Sequence, residues 1–400
     1  MKMKKLITVV MLATMSAGAA FGAGFGLYEA SARGNAMGGG LVGSTGDASA
    51  NYYNPANLTE CTNISVTVGL SLINPFCDVT VDGKRQQKMD AGWFPPPHAY
   101  VAAPIMKDLV FGFGTYCEYG LGTKYDNNWA LQYDTTETTI EQFTFNPNIA
   151  YKITEDWSVA FGARMSYITF ENYKNPYVNM LRTHIEGDDF NCGYMLATQY
   201  KVMDDLRLGL VYRSRINHRI EGDFESSGLM SPYAPSGDAS AKVVLPASVT
   251  MGANYDFTKK LRGGVSLTWT EWSTINHIDF NLPPPSAKTQ MLNWHDAWRV
   301  GFGFEYDFTD DFCGRIGYTY DWDPSSDAHG TTMLPPGDRH IVGFGIGYKL
   351  FGNWRVDLGY NFIMMESESR MIYNDVYPTA KLQCDNSYSH IASVSLTYSF

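Results

Sequence analysis

What most constrains this chain is an alternation of period two that returns again and again along its length. At the C-terminus Ala392, Val394, Leu396, Tyr398 and Phe400 alternate with Ser393, Ser395, Thr397 and Ser399. Trp354, Val356, Leu358, Tyr360 and Phe362 alternate with Arg355, Asp357, Gly359 and Asn361, and Val342, Phe344, Ile346 and Tyr348 with Gly343, Gly345 and Gly347. Val300, Phe302, Phe304 and Tyr306 stand likewise against Gly301, Gly303, Glu305 and Asp307. Successive side chains of a strand face opposite sides, so each run has one apolar, aromatic face and one face of small or polar groups. Repeated this often, the pattern fits an antiparallel transmembrane β-barrel with lipid outside and a polar lumen better than a soluble core.

Strands read this way fall at 62–73, 93–103, 109–119, 141–153, 156–170, 189–202, 205–217, 241–256, 260–270, 295–308, 311–322, 338–350, 353–365 and 388–400. That makes fourteen, an even count as bacterial single-chain barrels have. Short turns near Pro104–Asp108, Thr154–Asp156, Met203–Asp204, Thr258–Lys259, Thr309–Asp310 and Phe351–Gly352 alternate with longer loops at 74–92, 120–140, 171–188, 218–240, 271–294, 323–337 and 366–387. Short turns belong to the periplasmic side, which puts both termini there.

Composition agrees. No apolar run approaches the roughly 18 residues a membrane helix needs, yet the chain holds 26 Tyr, 22 Phe, 9 Trp and 38 Gly with only 18% charged residues. It opens with Lys2, Lys4 and Lys5, an apolar run from Leu6 to about Met15 and small residues to Gly22, the order of an export signal over residues 1–22. Without that segment the chain carries 27 basic against 41 acidic side chains, which argues against a nucleic-acid partner. The six cysteines are widely spaced and form no CxxC pair, and no HxxH or HExxH occurs, so no metal or other cofactor is expected. Cys77 and Cys384 fall in the first and last long loops, beside the strands that must meet to close the barrel, where a disulfide is geometrically reasonable.

Residues 23–60 stand apart. They are mostly Gly, Ala, Ser and Asn, too poor in apolar surface to fold alone, and they enter from the periplasmic side as a plug for the barrel of residues 61–400. Within them Phe25-Gly26-Leu27-Tyr28-Glu29-Ala30-Ser31-Ala32-Arg33, Asp47-Ala48-Ser49-Ala50 and Asn54-Pro55-Ala56-Asn57-Leu58 resemble the N-terminal hatch of the FadL family of outer-membrane transporters. Tyr119-Gly120-Leu121-Gly122-Thr123-Lys124-Tyr125 with Trp129, Trp269 to Trp272, Trp298-Arg299-Val300-Gly301-Phe302-Gly303 and Pro335-Pro336-Gly337-Asp338-Arg339 extend the resemblance over nearly the whole exported chain. It implies a monomeric fourteen-stranded barrel in the outer-membrane lipid, closed by a hatch. It also implies passive transport of long-chain fatty acids or other hydrophobic small molecules, from capture at the loops, past the hatch, to lateral exit at a kinked third strand.

The residues supply candidates for each step. Gly112, Gly114 and Gly120 suit a kink in the third strand, since glycine marks bulges and bends. Parity places Arg164, Arg207, Arg213, Arg215, Arg262, Arg299, Arg315 and Arg355 in the lumen, where Arg164, Arg213, Arg299 and Arg315 are candidates to hold a carboxylate. Asp256, Glu305, Asp307, Asp321 and Asp357 offer the alternative, an internal ion-pair network. In the hatch, Arg33 and Asp47 read as anchors to the wall, and Asn54-Pro55-Ala56 as a turn or hinge. Leu229 and Met230 are candidates for apolar capture, in the third and fourth loops that the family uses. Other readings are uptake of aromatic or alkane hydrocarbons, a membrane-embedded barrel enzyme of lipase or protease type, an open porin, which the plug argues against, and secondary use of the loops as a phage or adhesion receptor.

Overall fold

The computed structural model describes residues 24–44, 46–90, 92–373 and 378–400; the expected export signal lies outside them. Fourteen antiparallel strands close into a barrel. They are β1 (Ser65–Val81), β2 (Pro97–Met106), β3 (Leu109–Tyr116 and Gly120–Lys124), β4 (Glu137–Lys152), β5 (Trp157–Tyr177), β6 (Leu181–Met203) and β7 (Leu206–Arg213 and Ile216–Ser227). Then follow β8 (Gly237–Leu245 and Ser248–Asp256), β9 (Leu261–Thr270), β10 (Ala297–Asp307), β11 (Phe312–Asp321), β12 (Arg339–Lys349), β13 (Trp354–Met365) and β14 (Ala380–Ser399). Pairing of β1 with β14, from Ser65↔Ser399 to Val81↔Leu382, closes the ring and leaves no strand edge facing lipid at that seam.

The alternation has the expected sense. Phe302, Phe304, Phe344, Ile346 and Leu358 are exposed on the outside, flanked by Tyr306, Phe308, Tyr348 and Phe400 at the turn end and by Tyr194, Trp298 and Trp322 at the loop end. These are the two aromatic girdles of a membrane barrel.

Several loops are shorter than the sequence suggests. Residues 171–188 are the continuing β5 and β6 joined at 178–180, and 218–240 are largely the upper segments of β7 and β8. Residues 271–294 hold a hairpin, His277–Asn281 with Lys288–Met291, that pairs with β8 at Ser240↔Asn281. Toward the loop end the outward face turns polar, so the alternation fades although most strands stay paired.

The plug fills the lumen with two short helices, α1 (Ala32–Ala36) and α2 (Ala50–Tyr53), and a 3₁₀ turn over Pro55–Glu60. Ser31 caps α1 by accepting from the Gly34 N–H, and Asn54 caps the 3₁₀ turn by accepting from Ala56. Pro55 at its first position needs no donor there. Lumenal glycines let the plug's backbone lie directly on the wall. A Cβ on Gly301 would stand 2.0 Å from the Gly38 carbonyl oxygen, and one on Gly303 2.5 Å from that of Met37. The polar side chains between them satisfy the plug's buried backbone: Ser395 accepts from the Ala32 N–H, Asn254 from Gly43 and Ser44, and Asn361 donates to the Asn35 carbonyl.

Candidate functional site

β3 is broken at Cys117–Tyr119, and the start of the plug pairs with the break. Gly26 bridges Tyr119, the Leu27 N–H donates to the Glu118 carbonyl at 2.8 Å, and the Gly120 N–H donates to that of Phe25 at 2.9 Å. A few plug residues thus act as an extra strand across the interruption. Gly120 lies at its upper edge, where a Cβ would stand 2.8 Å from Leu27 Cδ1. Gly112 and Gly114 do not make the break as expected. They pair regularly with Asn148 and Asn146, and a side chain at Gly112 would collide with Asn51 and Leu58 of the plug.

Phe25 and Leu27 point to opposite sides of this contact. Leu27 joins a buried apolar cluster with Cys117, Tyr125, Trp129 and Ile73. Phe25 packs on Tyr119, Trp272 and Trp294 with ring centroids 5.5, 5.2 and 6.0 Å away. This aromatic layer separates two pockets. On the loop side lies an apolar pocket of about 60 Å³, walled by Ile168, Phe170, Ile220, Leu292, Met333 and Leu334. On the plug side lies a more polar pocket of about 60 Å³ among Tyr28, Tyr52, Glu118, Thr268, Arg213 and Arg299.

The four candidate arginines divide accordingly. Arg213 and Arg299 line the polar pocket. Arg299 stacks on the Tyr28 ring 3.9 Å from its centroid, and its nearest carboxylate, Asp321 at 3.7 Å, is held more closely by Arg339 at 2.5 Å. Arg213 lies over Tyr52, 3.3 Å from Glu118. Arg164 is fully buried, with Nη2 2.7 Å from Glu118 and Nη1 donating to the Ser214 carbonyl. Arg315 is locked between Glu305 and Asp357 on the wall and lines neither pocket. Glu305 also binds Arg262 and, from the plug, Arg33 at 3.1 Å, while Arg33 reaches Asp47 at 3.3 Å. Arg33 therefore sits as an anchor to the wall, whereas Asp47 pairs with Arg33 and Ser49 inside the plug, and all five expected lumenal acids are ion-paired.

Arg215 is a correction. The interruption between the two segments of β7 reverses the inward parity, and Arg215 lies exposed on the outer wall, paired with Glu271. Leu229 and Met230 line neither pocket. They cap the β7–β8 hairpin, where Leu229 is 79% exposed and the Met230 N–H donates to the Met180 carbonyl, so the third and fourth loops touch at their tips. Asn54 donates to the Val42 and Thr198 carbonyls, and Pro55 and Ala56 are buried against the wall. Cys77 and Cys384 are free thiols buried in one apolar cluster. Glu118, which lines the polar pocket and pairs with Arg164 and Arg213, is not among the residues expected from the sequence. Its signal was a charge at inward parity within the aromatic run Tyr116–Tyr119.

A family profile described as outer membrane protein transport protein (OMPP1/FadL/TodX) matches residues 13–400. A putative outer membrane protein of Neisseria meningitidis serogroup B is 24% identical, covering 94% of this chain and 91% of that protein. The long-chain fatty acid transport protein of Escherichia coli K12 is 23% identical, covering 90% and 91%. Among solved structures, a Pseudomonas aeruginosa FadL homologue superposes with a TM-score of 0.84 at 20% identity over 94% of this chain and all of that one. The P. putida toluene transporter TodX follows the same fold with a TM-score of 0.73 at 17% identity, covering 94% and 99%. With the plugged barrel and its stacked pockets beside these matches, the chain belongs to the OMPP1/FadL/TodX family of outer-membrane transport proteins.

Proposed function

We propose that this transporter of hydrophobic compounds carries long-chain fatty acids, with residues 1–22 as its export signal, 23–60 as the hatch and 61–400 as the barrel. The observation that carries the cargo is the stacking of an apolar pocket on a polar one that contains Arg213 and Arg299. An acyl chain gains about 0.8 kcal/mol per buried CH₂ in the first. Its carboxylate gains charge-assisted hydrogen bonds in the second, where Arg299 has only a distant, shared acid partner. A neutral aromatic hydrocarbon such as the cargo of the toluene transporter fills the first pocket but finds no use for the second. The plug segment over β3 gives the exit: lifting Phe25–Leu27 from Cys117–Tyr119 opens the wall to lipid, where a greasy ligand is better solvated than in periplasmic water.

Binding of oleate and of toluene to the purified protein in detergent tests the cargo. Arg299→Ala should weaken oleate about tenfold, the worth of a charged hydrogen bond, and leave toluene unchanged. Equal effects on both ligands, or none on oleate, would favour the hydrocarbon reading.

A further inference from the structure

Barrel strands lean on both neighbours, and β6 does so with β5 throughout. Toward β7 its ladder fails over a long stretch. Pairing runs from Met203↔Leu206 to Met195↔Arg213 and resumes only at Asp188↔Glu221. Between them, Asp189–Tyr194 and Ser214–Ile220 have no ladder pairing, and the Ser214 N–H donates to the Tyr194 carbonyl at the edge of the gap. Side-chain bonds also cross it. Asn191 donates to the Asn217 carbonyl, Ser214 Oγ accepts from the Tyr194 N–H, and the Asp189 carboxylate accepts from the Arg219 N–H and meets His218 Nδ1.

Burial marks the same place. Ile185, Met195, Ala197 and Gln199, on the inward face of β6, are buried, whereas Asn191 on that face is exposed. Outside the interruption is a groove of about 490 Å³ among Cys192, Gly193, Tyr194, Tyr212, Ala247 and Trp269. Tyr212, Val249, Trp269 and Trp298 are in register across β7–β10, so the groove lies at the outer aromatic girdle, the depth at which amphipathic lipids keep their headgroups. Inside, a Cβ on Gly193 would stand 2.8 Å from Ile216 Cγ1. Ile216 belongs to the apolar cluster of Phe25, Ile168 and Ile220, and the last three line the upper pocket.

We infer that the β6–β7 interruption is a second opening in the wall, through which hydrophobic ligand dissolved in the outer leaflet passes sideways into the apolar pocket without crossing the loop rim. The inference rests on the transport reading above. It requires less rearrangement than elsewhere in the wall, because the ladder is already interrupted there and side-chain bonds carry much of the contact, whereas parting a complete ladder would break a row of backbone bonds.

A staple tests it. Asp189→Cys with His218→Cys, in a Cys192→Ser background, places two thiols across the interruption where the native side chains meet. Uptake of radiolabelled oleate by cells should fall severalfold on oxidation and return with dithiothreitol, while heat-modifiable migration shows the barrel intact in both states. Equal uptake by the oxidised and reduced forms would overturn the opening. If the reduced form moves no oleate, the transport reading itself fails. Photolabelling by a diazirine phospholipid then decides the opening: label on Ile216 or Ile220 in the reduced but not the stapled protein supports it, and equal or absent label in both excludes it.

Discussion

Glu118 shows how much one residue does in this lumen. It is 7% exposed, its carboxylate lies against both Arg164 and Arg213, and its carbonyl receives the Leu27 N–H of the plug. Thr144 donates to the same carboxylate at 2.8 Å. Removing the charge leaves a fully buried guanidinium without an anion, and breaking a buried pair in this way costs about 3–5 kcal/mol. Glu118→Gln should therefore lower the urea midpoint of tryptophan fluorescence in detergent clearly below that of wild type; an unchanged midpoint would mean the pair contributes no stability. Parity alone put Arg164 and Arg213 in the lumen, but it could not tell which was braced and which faced a pocket. That depends on residues some 46 positions away along the chain, and on a break in β7 that reverses the parity for Arg215.

At the scale of elements, the plug is held by close approach as much as by polar anchors. Gly301, Gly303, Gly317 and Gly343 leave no room for a side chain between wall and plug backbone. A Gly301→Val barrel should still close, because the wall's own ladder is untouched, but the plug must move. In planar bilayers this variant should conduct small ions where the wild type does not. Closed bilayers with the plug still protected from protease would contradict the packing account. The glycine runs at lumenal parity were plain in the sequence, whereas their meaning as seats for the plug was not, since only the folded plug shows what they touch. The pairing of Gly26 with Tyr119 is likewise a contact between segments with no local signal of each other.

For the whole molecule, the bilayer decides which face of each strand may change. Phe344 is 48% exposed on the lipid face of β12, and arginine there should cost roughly 2–4 kcal/mol near the midplane. Leu229→Arg, at a solvent-exposed hairpin tip, should stay within about 0.5 kcal/mol. Unfolding titrations in lipid vesicles compare the two directly; equal losses would mean that Phe344 does not face lipid. By itself the sequence determined the barrel, its fourteen strands and the presence of a plug, because each follows from a local period of two or from composition. Only the tertiary structure decided the rest: where β3 and the β6–β7 ladder break, which arginines stay near a pocket, and how the plug's first residues cover the wall. Those features come from pairings between distant segments, and a period of two carries no information about which strand stands beside which residue.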